Sequence, residues 1–329
     1  MTNSDWGTRL EASYQLADSI MKDRATSFYQ AFGNLPKDRF RGVAAIYAFC
    51  RFADDTIDAV GEPGAHSLDE ARKILDQLES AVLAIHSYSG DVSDQQIFAR
   101  LKAADDAWLW WAAFEDTVRR YTIPLDRFIN QIDGQRMDAD FNDIRDDSEL
   151  VLYGRRVAGS VGTMLLPLLA DDGRDTDDEG WIEACENLGV GMQITNILRD
   201  VGEDLRARNR VYLPETRMTE YGVSRDVIER LSCHKDPKTT ATLIPQSFID
   251  MWESLATLAD QYYAAYEPFL GWFHPNCRVA LVAAALSYRA IADAVRKERY
   301  NCFSSRCYTS AATRAALVLE AKRRVKRLV

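Results

Sequence analysis

Ala44-Ala45-Ile46-Tyr47-Ala48-Phe49-Cys50-Arg51-Phe52-Ala53-Asp54-Asp55-Thr56-Ile57-Asp58 is the stretch whose reading decides the fold class. Within it and just upstream, Phe40, Val43, Ile46, Tyr47 and Cys50 fall at three- and four-residue steps, the spacing of one helix face. The helix is core-like until it turns acidic on one side. Residues four apart share a face, so Asp54 and Asp58 are neighbours. Far along the chain the pattern returns in Asn196-Ile197-Leu198-Arg199-Asp200-Val201-Gly202-Glu203-Asp204, preceded by the apolar Leu188-Gly189-Val190-Gly191-Met192. There Asn196, Asp200 and Asp204 line one side, while Ile197, Leu198 and Val201 lie on the other.

An acidic helix face is ordinarily a solvated one. Two features argue otherwise here. Both stretches grow out of apolar helices, and carboxylates crowded on one face repel one another unless cations neutralise them. Oxygen ligands at this spacing suit a hard cation such as Mg²⁺, which keeps some of its waters and is completed by substrate phosphates. Two such faces opposed across a cavity would make a site for diphosphates. Arg51 and Arg199 lie beside the two acidic stretches. Diphosphate recognition calls for arginine forks, although either arginine alone reads as an ion-pair partner of its neighbouring aspartate.

The rest of the 329 residues is patterned in the same way. Helical periodicity covers residues 10–32, 38–60, 67–86, 93–111, 111–121, 125–137, 148–169, 178–204, 224–231, 239–269, 277–300 and 310–328. Gly61-Glu62-Pro63-Gly64, residues 171–178, Pro214 and Pro237 mark breaks. Alternating strands, linkers and repeats of fixed period are not evident, so the expectation is one all-α domain over residues 1–329.

Bulk properties exclude several classes. A net charge of −10 argues against a nucleic-acid binder. The six cysteines are scattered, with Cys302 and Cys307 the only near pair, and four histidines give no zinc spacing, which fits free thiols in a reducing cytosol. Residues 1–10 lack a signal-peptide core. No apolar run reaches the roughly 18 residues of a membrane span; Val279 to Leu286 is interrupted by Ser287-Tyr288-Arg289. The expected location is cytoplasmic. At the other end, Lys322, Arg323, Arg324, Lys326 and Arg327 are interspersed with Leu317, Val318, Leu319, Val325, Leu328 and Val329. This pattern fits either a peripheral contact with anionic lipid at the inner membrane surface or a basic helix end that complements its own dipole. Trp108, Trp110 and Trp111 read as packing rather than as a partner surface.

On its two acidic stretches, and on Tyr153-Gly154-Arg155-Arg156-Val157-Ala158-Gly159-Ser160-Val161-Gly162 and Arg210-Val211-Tyr212-Leu213-Pro214, the chain resembles the squalene/phytoene synthase family from about Tyr14 to Lys322. The resemblance implies an all-helical class I prenyltransferase fold around a mostly apolar cavity. It implies about two or three Mg²⁺ ions held with substrate diphosphate by Asp54, Asp55 and Asp58 and by Asn196, Asp200 and Asp204. Two prenyl diphosphates would join head to head through a cyclopropylcarbinyl diphosphate, with Arg51 binding diphosphate and Asp54, Asp58, Tyr153, Asp200 and Asp204 serving catalysis. Tyr153 and Gln193 match positions near the reacting carbons, and Tyr47, Tyr288 and Arg306 match positions near the diphosphates. Gly159 and Gly162 match places of close helix approach, and Asp138 lies in a further family segment. Some relatives carry histidine where this chain has Arg24; an arginine there suits a diphosphate but not proton handling.

Within the family the similarity leans towards the bacterial carotenoid branch. That branch needs no nicotinamide, and the chain has no glycine-rich dinucleotide fingerprint. Phe28 and Phe32 sit one turn apart, and a bulky ring at Phe32 shortens the space for prenyl tails. The small Ala44 argues the other way. The expectation is two farnesyl diphosphates and dehydrosqualene (4,4'-diapophytoene, C30). The alternatives are phytoene synthase with geranylgeranyl diphosphate, and squalene synthase with NADPH. A single-substrate terpene cyclase would share the first motif but not the second as written here. A non-catalytic relative would have lost oxygen ligands that this chain keeps. The sequence does not reveal the oligomeric state.

Overall fold

Apolar side chains at helical steps dictate helices, and helices make up nearly all of the computed structural model, which describes residues 3–87, 108–234 and 236–329. In chain order these are α1 (Asn3–Arg24), α2 (Thr26–Phe32), α3 (Lys37–Asp58), α4 (Leu68–His86), α5 (Trp111–Tyr121), α6 (Leu125–Ala139), α7 (Asp147–Gly154), a π-helical turn (Arg155–Gly159) and α8 (Ser160–Leu169). There follow α9 (Glu179–Arg208), α10 (Glu215–Glu220), α11 (Arg225–Ser232), α12 (Pro237–Leu243), α13 (Gln246–Tyr262), a 3₁₀ turn (Glu267–Trp272), α14 (Pro275–Lys297) and α15 (Ala311–Leu328). Among the described residues the sole β-type pairing is one bridge, Ala170 to Phe273. The all-α expectation holds.

Local departures have local causes. The helix expected over residues 10–32 breaks at Ala25, between α1 and α2. The one expected over 239–269 is divided at Pro245, whose ring fixes φ and removes an N–H donor. Residues 148–169 run as expected but with a π turn at Arg155–Gly159, a form often found at functional sites. Most of the helix expected over 93–111 lies outside the described residues.

The chain forms two compact units. The first comprises residues up to Asp140 with Thr163–Thr176 and Trp272–Cys277. Here α3 packs against α1, α4, α5 and α6. Its centre is aromatic: Phe49 stacks on Phe114 at 4.7 Å and meets Phe128 edge-on at 5.4 Å. Trp108, Trp110 and Trp111 are buried around them, so this cluster is core. Cutting Phe49 back to alanine would cost about 3–5 kcal/mol. Arg39 ties the returning segment to α3 by donating to the carbonyls of Leu168 (3.0 Å) and Ala170 (2.5 Å).

The second unit comprises Phe141–Gly162, Asp177–Gly271 and Arg278–Val329. Its axis is the 30-residue α9, capped by Asp178, whose side chain accepts from Trp181 N at 2.8 Å. Packed around it are α7, the π turn, α11 and α13. The contact with the π turn is close enough that a Cβ at Gly189 would overlap the Ala158–Gly159 backbone.

Candidate active site

The last two turns of α3 carry the first acidic stretch. Ala53, Thr56 and Ile57 are buried while Asp54, Asp55 and Asp58 are half-exposed, as the amphipathic pattern requires. Arg51, one turn earlier, donates to Asp54 Oδ2 at 2.9 Å and to Asp55 Oδ1. Burial works against its charge, yet the two carboxylates hold the guanidinium firmly protonated. Its Nε is buried and has no hydrogen-bond acceptor. Burial pushes the Asp54 carboxyl up to about 7; the charges of Asp58, Asp55 and Asp138 push the same way and Arg51 opposes them. Such crowding is what a bound cation would relieve. Tyr47, a turn before Arg51, is half-buried, and burial raises its hydroxyl. Phe28 packs edge-on to Phe32 at 4.6 Å and lies 6.0 Å from Tyr47, so the three residues form one aromatic group in the first unit. Arg24 is exposed at the end of α1.

The second stretch occupies the C-terminal half of α9. Asp200, with only 12% of its side chain exposed, takes two arginines. Arg199 Nε donates to its Oδ1 at 2.7 Å, and Arg306 Nη2 to its Oδ2 at 3.3 Å. Arg306 also donates to Glu203 at 2.9 Å. Asp204 lies 3.7 Å from Arg208. Asn196 Nδ2 reaches Gln193 Oε1 at 3.5 Å, while Asn196 Oδ1 is buried and accepts no hydrogen bond. Burying a carbonyl oxygen without a donor is costly, and a hard cation is one partner that would satisfy it. The donor set therefore fits Mg²⁺. Among the described residues no three His, Cys, Asp or Glu side chains converge closely enough to hold an ion unaided. Waters and phosphate oxygens ordinarily complete a Mg²⁺ shell.

Other expected residues lie within the second unit. Tyr153 is buried and stacks on Tyr212 at 5.0 Å. Tyr212 meets Phe141 edge-on at 4.9 Å, and Arg210 donates to the Tyr212 hydroxyl at 3.2 Å. The family segment around Arg210 is thus joined to Tyr153 by an aromatic stack. Tyr288 is 36% exposed. Backbone crowding explains Gly159 and Gly162: a Cβ at either would press on the Glu186 or Cys185 backbone.

Sequence reasoning did not find the contacts made by residues distant in the chain. Trp252 Nε1 donates to Leu198 O at 3.0 Å, and Gly202 N donates to Cys302 O at 2.9 Å. The pairing of Glu203 with Arg306 was also not foreseen, although Glu203 stands within the quoted motif. None of these carries a periodic signal. The plainer reading of Arg51 and Arg199, as partners of their neighbouring aspartates, describes their contacts.

With this geometry in hand, the class is defined. The squalene/phytoene synthase family matches residues 21–313, and the chain belongs to it. Prenyltransferase-type enzymes make up that family. The chain is 33% identical over 304 residues to the 4,4'-diapophytoene synthase of Staphylococcus haemolyticus (strain JCSC1435), covering 92% of this chain and 93% of that protein. It is 30% identical to the chloroplastic phytoene synthase of an Oncidium hybrid cultivar, over 94% of this chain and 67% of that one. Among solved structures, a dehydrosqualene synthase in complex with ligand superposes with a TM-score of 0.77 at 33% identity, covering 97% and 99% of the two chains. A squalene synthase from Alicyclobacillus acidocaldarius, at 18% identity and a TM-score of 0.67, covers 89% and 97% and shares the fold.

Proposed function

We propose that this protein condenses two farnesyl diphosphates head to head, through a cyclopropylcarbinyl diphosphate, to 4,4'-diapophytoene. One observation carries the reading: all six oxygen-bearing positions of the two acidic helical rows are present in a chain 33% identical, over nearly its whole length, to a 4,4'-diapophytoene synthase. In this reading both rows serve one reaction, and residues 1–329 act as a single catalytic domain.

Asp54, Asp55 and Asp58 would hold Mg²⁺, as would Asn196, Asp200 and Asp204, with about two or three ions in all. The ions, when bound, supply Lewis-acid stabilisation of the departing diphosphate. The chain's own residues do the rest. Arg51, Arg199 and Arg306, now paired with aspartates, are the guanidinium groups that would turn to phosphate oxygens. The first ionisation releases diphosphate and leaves an allylic cation, which the double bond of the second molecule attacks; loss of a proton closes the cyclopropane ring. A second ionisation, rearrangement and proton loss give the C30 triene core. Tyr153 and Gln193 would lie by the reacting carbons, Tyr47, Tyr288 and Arg24 by the diphosphates, and Phe28 and Phe32 along the tails. Water must be kept from the cation, which it would trap as an alcohol. The reaction balances without nicotinamide.

Incubation with farnesyl or geranylgeranyl diphosphate and Mg²⁺, without NADPH, tests this. The expected product is 4,4'-diapophytoene from the farnesyl substrate. Exclusive formation of phytoene would establish the C40 alternative, which the 30% identity to a plant phytoene synthase keeps in view. No helix among the described residues is long and apolar enough to cross a membrane. The reading adds a peripheral contact through α15, where Val318, Leu319, Leu328 and Val329 are exposed beside basic residues. Flotation with anionic liposomes, with and without residues 317–329, checks it; equal flotation would end the idea.

A further inference from the structure

In a regular helix the Gly202 amide would be the partner of the Leu198 carbonyl, four residues earlier. Both groups also receive partners from elsewhere in the second unit. The Gly202 N–H donates to Cys302 O (2.9 Å), and Leu198 O accepts the indole N–H of the fully buried Trp252 (3.0 Å). This step of α9 spans Asp200 and lies between Asn196 and Asp204. Another backbone also comes close here, since a Cβ at Gly202 would overlap the Phe303 carbonyl.

The partners are themselves held in place. The chain leaves α14 through Arg299 and Tyr300, two consecutive non-glycine residues in the left-handed region (φ 56° and 60°). That conformation persists only where the surroundings over-determine it. Glu253 supplies the restraint: it accepts from Arg296 Nε and Nη2 and from the Tyr300 hydroxyl, each at 2.8 Å. Trp252, its neighbour, lies under the Arg296 guanidinium at 5.3 Å and edge-on to the Tyr300 ring at 5.3 Å. From this exit the chain passes through Cys302 and Phe303 to Arg306, which reaches Asp200 and Glu203. Phe303 is fixed against Phe248 at 4.7 Å, and its carbonyl accepts from Arg206.

We propose that Trp252 is a positioning residue for the second acidic row: with the Cys302 carbonyl it adds outside partners to one hydrogen-bond step of α9, and so fixes the Arg306 loop and the Asp200 carboxylate in one frame. The inference rests on the reading of Asn196, Asp200 and Asp204 as a metal and diphosphate wall. Trp252 touches neither ligand nor reacting atoms. Its effect passes through Leu198 O to the helix, and through Tyr300 to the loop.

Titration calorimetry of Mg²⁺ in the presence of inorganic pyrophosphate tests it on the full chain, with wild type, Trp252→Phe and Asp200→Ala side by side. Phenylalanine keeps a buried aromatic ring but deletes the indole N–H together with part of the fused ring. The expected loss of Mg²⁺ affinity in Trp252→Phe is about ten-fold, as for other groups that orient metal ligands, with a larger loss in Asp200→Ala. Wild-type affinity in Trp252→Phe beside a loss in Asp200→Ala overturns the inference and leaves the proposed reaction standing. Wild-type affinity in both overturns the metal-wall reading and this inference with it. A second measurement needs no variant to fold: the assigned Trp252 indole ¹H–¹⁵N resonance of the wild-type protein should move when Mg²⁺ and pyrophosphate are added. A resonance that stays in place counts against the proposal.

Discussion

Asp54 and Asp200 invite comparison because each is flanked by a helical carbonyl two residues before and a helical residue two after. In α3 that carbonyl, Phe52 O, accepts from the hydroxyl of Thr56 at 2.7 Å, a bond between residues of the same helical turn. In α9 it is Leu198 O, and its extra donor is Trp252, 54 residues away. The arginines divide likewise. Arg51 binds Asp54 and Asp55 from its own helix, while Asp200 takes Arg199 next door and Arg306 from 106 residues on. The first acidic row is thus built almost wholly from one helix. The second is completed by tertiary structure. Similar motifs in sequence can rest on very different supports.

The largest effects should come from the carboxylates and should be alike on both sides. Asp54→Ala and Asp200→Ala are each expected to lower kcat/KM for farnesyl diphosphate by about a thousand-fold, the scale of losing a principal stabiliser of transition-state charge. Product quantification with labelled substrate checks this. If one variant keeps near wild-type turnover, the two rows do not share one reaction.

The supports should then separate the rows. Gly202→Ala drives a Cβ into the Phe303 carbonyl, and overpacking of that kind costs about 1–3 kcal/mol. Because the displaced loop carries Arg306, activity should fall as well. Thr56→Val, the matching change in α3, removes one hydrogen bond worth about 0.5–1.5 kcal/mol and should leave the Mg²⁺ dependence of the rate unchanged. Thermal unfolding and Mg²⁺-dependent kinetics of both variants check the contrast. It would be broken by a Thr56→Val enzyme that needs more Mg²⁺, or by a Gly202→Ala enzyme that does not.

The same division explains what could be read from the sequence. Periodicity and breakers located the helices well, because both are local. The acidic rows and Arg51 were legible since their geometry follows from 3.6 residues per turn. The break at Ala25 and the π turn at Arg155–Gly159 were not, because the intervening residues continue the helical pattern and only the contacts they make distinguish them. The Trp252 and Cys302 contacts were invisible for the same reason: one is an indole on a buried helix face and the other a main-chain carbonyl. Glu203 was in view as part of a motif, but the partner that gives it a role arrives 103 residues later.

The smallest effect concerns the self-contained row alone. Burial, with the nearby charges of Asp58, Asp55 and Asp138, raises the Asp54 carboxyl to about 7 in the folded, metal-free chain, against about 3.9 when unfolded. The folded state therefore binds more protons over that interval. The contribution of Asp54 to stability is fully present below about pH 4 and is lost as pH rises through about 7. With 40% of the side chain still exposed, water screens much of the effect, so a modest slope is expected. Thermal unfolding in EDTA from pH 5 to 8 should show wild type losing stability relative to Asp54→Asn as pH rises. Adding Mg²⁺ with pyrophosphate should cancel that loss, since the cation favours the charged carboxylate. A wild-type minus Asp54→Asn difference that stays flat across this range would mean that crowding in the first row costs the metal-free fold nothing. The distinction from Asp200, whose charge two arginines already neutralise, would then lose its electrostatic basis.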